Sequence, residues 1–174
     1  EYVDAQLDTM IRDQDYIGIG NFLAPLVNSR DFLRRQKCKR CIGKIVASLK
    51  ATVKTLHNDI KGPIHEVNIA RIAMDLRVIA LADKEIGMHL GKTYNITVQV
   101  EKFKIFIRIR LKKLVEEMEE ASDRYDFCVL AVKEKVAAEC LVDLDSFIDP
   151  KLKGMIQKRI ESYKELKESI KVRG

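Results

Sequence analysis

Cys38, Ile42, Ile45, Leu49, Val53, Leu56 and Ile60 recur at steps of 4, 3, 4, 4, 3 and 4. Apolar residues spaced this way share one face only if the backbone is α-helical, because a strand brings every second residue to a face. The stripe lasts about six turns, so a long helix is the strongest constraint on this fold. Lys61-Gly62 ends it, and Pro63 opens the next helix at a position that tolerates the missing N–H.

The same spacing predicts further helices. Val3, Leu7, Met10 and Ile11 mark one over about 3–16. Ser29 is the expected N-cap of the long helix, over about 30–60. Val67, Arg71/Ile72, Leu76, Ile79 and Asp83/Ile86 give a face over 64–90. Val129, Val132, Val136, Cys140, Leu144 and Phe147 do so over 123–148, which Asp149-Pro150 stops. Leu152, Met155/Ile156, Ile160, Tyr163, Leu166 and Ile170 do so over 151–171. The stretch YIGIGNFLAPLVNSRD reads as a turn-rich connector with a buried apolar portion.

One segment reads two ways. Phe103, Ile105, Ile107, Ile109 and Leu111 alternate like a strand, while Phe103, Ile107, Leu111, Leu114 and Met118 keep helical spacing. No breaker interrupts Thr97 to Ser122, and strands usually run only about 5–6 residues, so a helix over 98–121 is expected. That helix sets Arg110 inside its apolar stripe, where the guanidinium must snorkel or find a carboxylate.

Eight glycines and three prolines in 174 residues are few for a hairpin-rich protein. The expected fold class is therefore all-α: a single domain, an irregular antiparallel bundle of five to six helices over residues 1–174. Apolar residues at 47% and charged residues at 33% fit a folded core rather than a disordered tail. The longest apolar run, Phe127 to Val132, is far short of the roughly 20 residues that span a bilayer, so no transmembrane segment is expected. A first residue other than Met fits either a cleaved leader or a piece of a longer chain.

Four cysteines invite a zinc or disulfide reading. On one helix Cys128 and Cys140 lie about 18 Å apart, whereas Cys38 and Cys41 lie about 4.5 Å apart along theirs, so no single metal holds all four. A redox pair at Cys38 and Cys41 lacks its usual βαβ context. The expectation is a structural disulfide from Cys38 or Cys41 to Cys128 or Cys140, with buried free thiols as the competing reading. Asn95-Ile-Thr97 is a glycosylation sequon. The even cysteine count and the sequon favour a secreted, glycosylated chain over a cytoplasmic one.

Catalytic and cofactor motifs do not emerge. HEVNI at 65–69 puts Ile69 where a metalloprotease helix needs its second histidine. DQDYIGIGNFLA resembles a calcium loop only at its start, because Ile17 and Ala24 occupy positions that need oxygen donors. Phosphate-cradling glycine loops and the nucleophile-elbow pattern are absent. The expected function is therefore non-enzymatic, with no cofactor and no metal.

The basic clusters are the most informative feature. Arg34, Arg35, Lys37, Lys39, Arg40 and Lys44 fall within 34–44 with no acid among them. Lys102, Lys104, Arg108, Arg110, Lys112 and Lys113 fall within 102–113, again without an acid, before Glu116, Glu117, Glu119 and Glu120. Bases in the first half of a helix and acids in the second oppose the macrodipole, so compensation must come from neighbouring helices or from an anionic partner. With a net charge of +6, the candidate anion-binding residues are Arg34, Arg35, Lys37, Lys39, Arg40, Lys104, Arg108 and Lys112. The absence of tryptophan and of regular aromatic interleaving counts against nucleic acid. The expected function is that of a secreted helical binding protein engaging a partner protein, an anionic surface or an apolar small ligand between helices. The alternative is an intracellular module that binds acidic peptide or nucleic acid through the basic clusters.

Overall fold

The periodic stretches fold as helices, and the contested segment is one of them. The computed structural model describes residues 2–173, apart from the side chains of residues 2, 3, 66, 172 and 173. It contains α1 (Tyr2–Arg12), α2 (Tyr16–Val27), α3 (Phe32–Ile60), α4 (Glu66–Leu90), α5 (Ile96–Asp123), α6 (Phe127–Asp143) and α7 (Pro150–Arg173). A 3-10 turn, Asp145–Phe147, joins α6 to α7, and no strand occurs among the described residues. Among the described residues the helices number seven rather than five to six because the expected connector is itself α2. Tyr16, Ile19, Leu23 and Leu26 form its buried face. Asp15 caps it by accepting from the Gly18 N–H at 2.9 Å. A Cβ at Gly20 would stand 3.2 Å from the Glu85 carbonyl oxygen, so this glycine is kept for a close helix approach rather than for a turn.

The chain divides into two compact units. The first comprises residues up to Asn58 together with Met74–Lys102; the second comprises Asp59–Ala73 and the chain from Phe103 onward. In the first, Leu7 of α1 and the apolar face of α2 are buried, as are Ile45, Leu49 and Leu56 of α3 and Leu76, Ile79 and Ile86 of α4. Val3, expected on the α1 stripe, lies outside the described side chains. In the second, Phe103, Ile107, Leu111, Leu114 and Met118 of α5 are all buried, which settles that segment as a helix facing its core. They share burial with Leu130, Val136 and Cys140 of α6 and with Leu152, Ile156 and Ile160 of α7. α6 packs on α7.

Several expected faces and boundaries shift. Val67 on α4 and Val129 and Val132 on α6 are exposed, and Asn68, Ile69 and Leu130 are buried instead. The predicted helix over 123–148 starts at Phe127 and stops at Asp143. α3 is capped by Asp31 rather than Ser29: Asp31 Oδ1 accepts from the Leu33 N–H at 3.2 Å. Ser29 Oγ in turn accepts from the Asp31 N–H at 3.2 Å, so it supports the cap from outside the helix.

α1 and α5 end alike. Gln14 (φ 56°) and Tyr125 (φ 55°) are left-handed, and the next N–H in each case reaches back five residues, Asp15 to Met10 and Asp126 to Ala121, at 2.9 Å. This is a Schellman stop whose left-handed position usually holds glycine. Gln14→Gly is expected to raise the unfolding free energy by about 0.5–1 kcal/mol through relief of the Cβ penalty, read as a higher urea midpoint.

Candidate functional site

The reversed charges of α5 are compensated mostly from within the second unit. Glu117 Oε2 lies 2.6 Å from Lys133 Nζ on α6, and Glu119 pairs with Arg159 on α7. Arg110 finds no carboxylate among the described residues; its Nε donates to the Ile60 carbonyl at 3.1 Å and its terminal nitrogen donates to the Lys61 carbonyl. It therefore places a cation on the orphan carbonyls at the C-terminus of α3, where the helix dipole is negative. Arg108 Nε is 3.9 Å from Asp149 Oδ2. The other oxygen of Asp149 caps α7 by accepting from the Leu152 N–H at 2.8 Å.

Lys112 and Lys113 are left without an ion-pair partner among the described residues, and so is Lys151 on α7. Lys112 and Lys151 line one cleft together with Arg108, Asp149, Leu152 and Met155. Its volume is about 200 Å³. Three cations and one carboxylate rim it, and the side chains of Leu152 and Met155 supply its apolar wall. Ile105 (57% exposed) and Ile109 (55% exposed) stand on the outer side of α5, interleaved with these bases. Lys104, half-buried and engaged elsewhere, does not line the cleft.

Sequence patterning does not single out Lys151 or Met155. The available signal is that Lys151 and Lys153 occupy a first helical turn that carries no acid, the wrong end for cations. Lys153 is neutralised by Asp145 at 2.7 Å, whereas Lys151 is not.

The α3 cluster is split by its surroundings. Arg40 lies 3.3 Å from Asp4, and Lys44 lies 3.1 Å from Asp8, both acids on α1. Lys37 Nζ sits 5.9 Å from the centroid of the Phe22 ring. Arg34, Arg35 and Lys39 are exposed with no ion-pair partner among the described residues.

The disulfide expectation is overturned: all four cysteines are free. Cys38 and Cys41 follow each other by one helical turn, where Cβ atoms stand about 5–6 Å apart, too far for a bridge. Cys128 and Cys140 are separated by three turns of α6. Burial pushes the Cys38 and Cys41 thiols up, and it pushes Cys140 up to about 12, with Glu139 and Asp143 adding to the effect. A redox pair needs the opposite, a stabilised thiolate within reach of solvent. Cys128 alone is exposed. Iodoacetamide is therefore expected to modify Cys128 in the native chain and all four cysteines in unreduced, denatured protein, counted by intact mass.

Asn95 is exposed and caps α5, its Oδ1 accepting from the Val98 N–H at 3.2 Å. Thr97, the third sequon residue, donates its hydroxyl to Asp83 Oδ1 at 2.5 Å. The described residues include no cluster of three or more His, Cys, Asp or Glu side chains arranged to hold a metal ion. No helix among them is long and apolar enough to cross a membrane. No protein-family model, curated protein or solved structure matches the chain.

Proposed function

We propose that the protein is a non-enzymatic binding protein that holds an acidic segment of a partner protein in the α5–α7 cleft. The observation that carries this reading is the convergence of Arg108, Lys112 and Lys151 on one apolar-walled opening. Most other α5 charges are satisfied inside the fold, so the cleft gathers the surplus. A partner carboxylate would meet Lys112 and Lys151, which have no ion-pair partner among the described residues, while an adjacent apolar side chain packs on Leu152 and Met155. Charges on such a rim set encounter rate and orientation, and the apolar wall supplies contact area.

A fluorescent Glu/Leu peptide titrated against the full chain tests this reading. Lys112→Glu combined with Lys151→Glu is expected to weaken binding about tenfold or more and to flatten its salt dependence. Equal affinity for the double variant and the native chain would defeat the assignment.

The location of that partner is part of the proposal. The Asn95 sequon supports a secreted chain. The four free thiols favour the second reading, an intracellular interaction module, because reducing compartments keep cysteines in that state. Mass spectrometry of protein from its natural source separates them: a glycan on Asn95 supports the first, and an unmodified Asn95 the second.

A further inference from the structure

We propose that the corner between α2 and α3 docks on an anionic lipid surface, an interaction beyond the binding of an acidic segment and carried by different residues. Phe32 (63% exposed) and Leu33 (73% exposed) open α3, and Val27 (37% exposed) closes α2 just before them. Single exposed apolar residues are ordinary on any protein. Phe32 and Leu33 differ because they are the one consecutive pair of exposed large hydrophobics among the described residues. High exposure means that these side chains stand out from the protein rather than line a depression in it.

The surrounding charge has the sign a phospholipid headgroup layer requires. Arg30, Arg34, Arg35, Lys37 and Lys39 fall within ten residues of chain that hold a single acid, Asp31. Asp31 is already committed, its Oδ1 accepting from the Leu33 N–H. The fold neutralises the α3 cations only further along the helix, where Asp4 reaches Arg40 and Asp8 reaches Lys44. Arg34, Arg35 and Lys39, on the first turns of the same helix, have no ion-pair partner among the described residues. Unpaired cations and unburied hydrophobics thus coincide at the same corner.

That corner is also held in shape before any contact. The Ser29 N–H donates to the Leu26 carbonyl at 3.3 Å, the Asp31 N–H donates to Ser29 Oγ, and the Arg35 N–H donates to the Asp31 carbonyl at 3.0 Å. Binding therefore orders no loop. An acidic protein could answer the charges, but it would also need a pocket shaped for two projecting side chains. A bilayer answers both at once, with anionic headgroups at the depth of the guanidinium groups and a fluid apolar phase beneath them.

The test uses the full chain and sucrose-loaded vesicles of phosphatidylcholine, with and without phosphatidylserine, read by co-sedimentation. Binding is expected only with phosphatidylserine and should fall as salt rises. Arg34→Gln with Arg35→Gln should lower partition roughly twenty-five-fold, at about fivefold per basic residue near an anionic surface. Phe32→Ser with Leu33→Ser should reduce it at least tenfold while leaving the circular dichroism spectrum unchanged, since neither side chain is buried. The proposal is overturned if the native chain does not sediment, or if the apolar double variant binds as well as the native chain. It is equally overturned if that variant loses nothing on immobilised polyglutamate while the arginine variant does and neither affects vesicles, which would assign the corner to an acidic protein. The cleft variant, Lys112→Glu with Lys151→Glu, should keep its vesicle binding; its loss would move the lipid contact to α5 and overturn the corner assignment. Failure of the peptide titration leaves all these readouts intact.

Discussion

Asn68→Ala is expected to lower the unfolding free energy by about 2–4 kcal/mol, read from urea denaturation followed by far-UV circular dichroism. Asn68 is the one buried polar side chain among the described residues, and it organises the turn between α3 and α4. Its Oδ1 accepts from the His65 N–H at 2.9 Å, and its Nδ2 donates to the Asp59 and Pro63 carbonyls, both at 3.4 Å. Alanine removes three hydrogen bonds at once and leaves part-buried backbone groups without that partner, so desolvation adds to the lost bonds. Arg110 holds the same turn from α5 through the Ile60 and Lys61 carbonyls, and Arg71 holds it through Asp59 at 3.0 Å. Because the supports act on neighbouring residues, Asn68→Ala and Arg110→Met should not add. A coupling of about 1 kcal/mol is expected in the double-mutant cycle. A loss below about 1 kcal/mol for Asn68→Ala would show that this turn does not depend on its side chain.

The stripe of α5 was legible because its buried residues are large, regularly spaced and flanked by charge, so one face stands out. In α6 the FCVLAV run is apolar on every side, and periodicity alone does not say which side faces the core. Tertiary packing chooses Leu130 over Val129 and Val132. α4 fails in the same way at Val67, whose neighbours Asn68 and Ile69 are taken into the core instead. In α2 two glycines and a proline suggest a turn, yet Tyr16, Ile19, Leu23 and Leu26 step by 3, 4 and 3 beneath them. Tertiary burial outweighs the propensity cost of those residues.

The candidate site divides along similar lines. The sequence locates cations, but it does not say which of them the fold neutralises. Arg40 and Lys44 look the same as Arg34 and Arg35 until α1 brings Asp4 and Asp8 beside them from 36 positions away. Arg108 and Lys112 were visible on α5, whereas Lys151 and Met155 join them only through packing of α7. The disulfide expectation failed for a related reason: an even cysteine count carries no information about which helix faces meet.

Raising the pH from about 9 towards 12 is expected to destabilise the folded chain steeply. Cys140 is fully buried, and its thiol is pushed up to about 12 from an ordinary 9.0, chiefly by burial. Tyr16, also buried, is pushed up to about 12 from 10.0 for the same reason. Below pH 9 both groups are protonated whether the chain is folded or not, so their contribution is fully present. Above it the unfolded chain releases the Cys140 proton while the folded chain retains it, and above 10 the same holds for Tyr16. The unfolded state then binds fewer protons, and stability falls with rising pH by about 1.4 kcal/mol per pH unit for each group so affected. Over the full shift Cys140 accounts for roughly 4 kcal/mol. The raised thiols of Cys38 and Cys41 and the raised Tyr94 hydroxyl act in the same direction. Cys140→Ala separates this effect from general alkaline damage: it forfeits sulfur packing at neutral pH, yet its urea midpoint should decline less between pH 9 and 11 than that of the native chain. Parallel declines for the two proteins would mean that the Cys140 proton does not couple to folding.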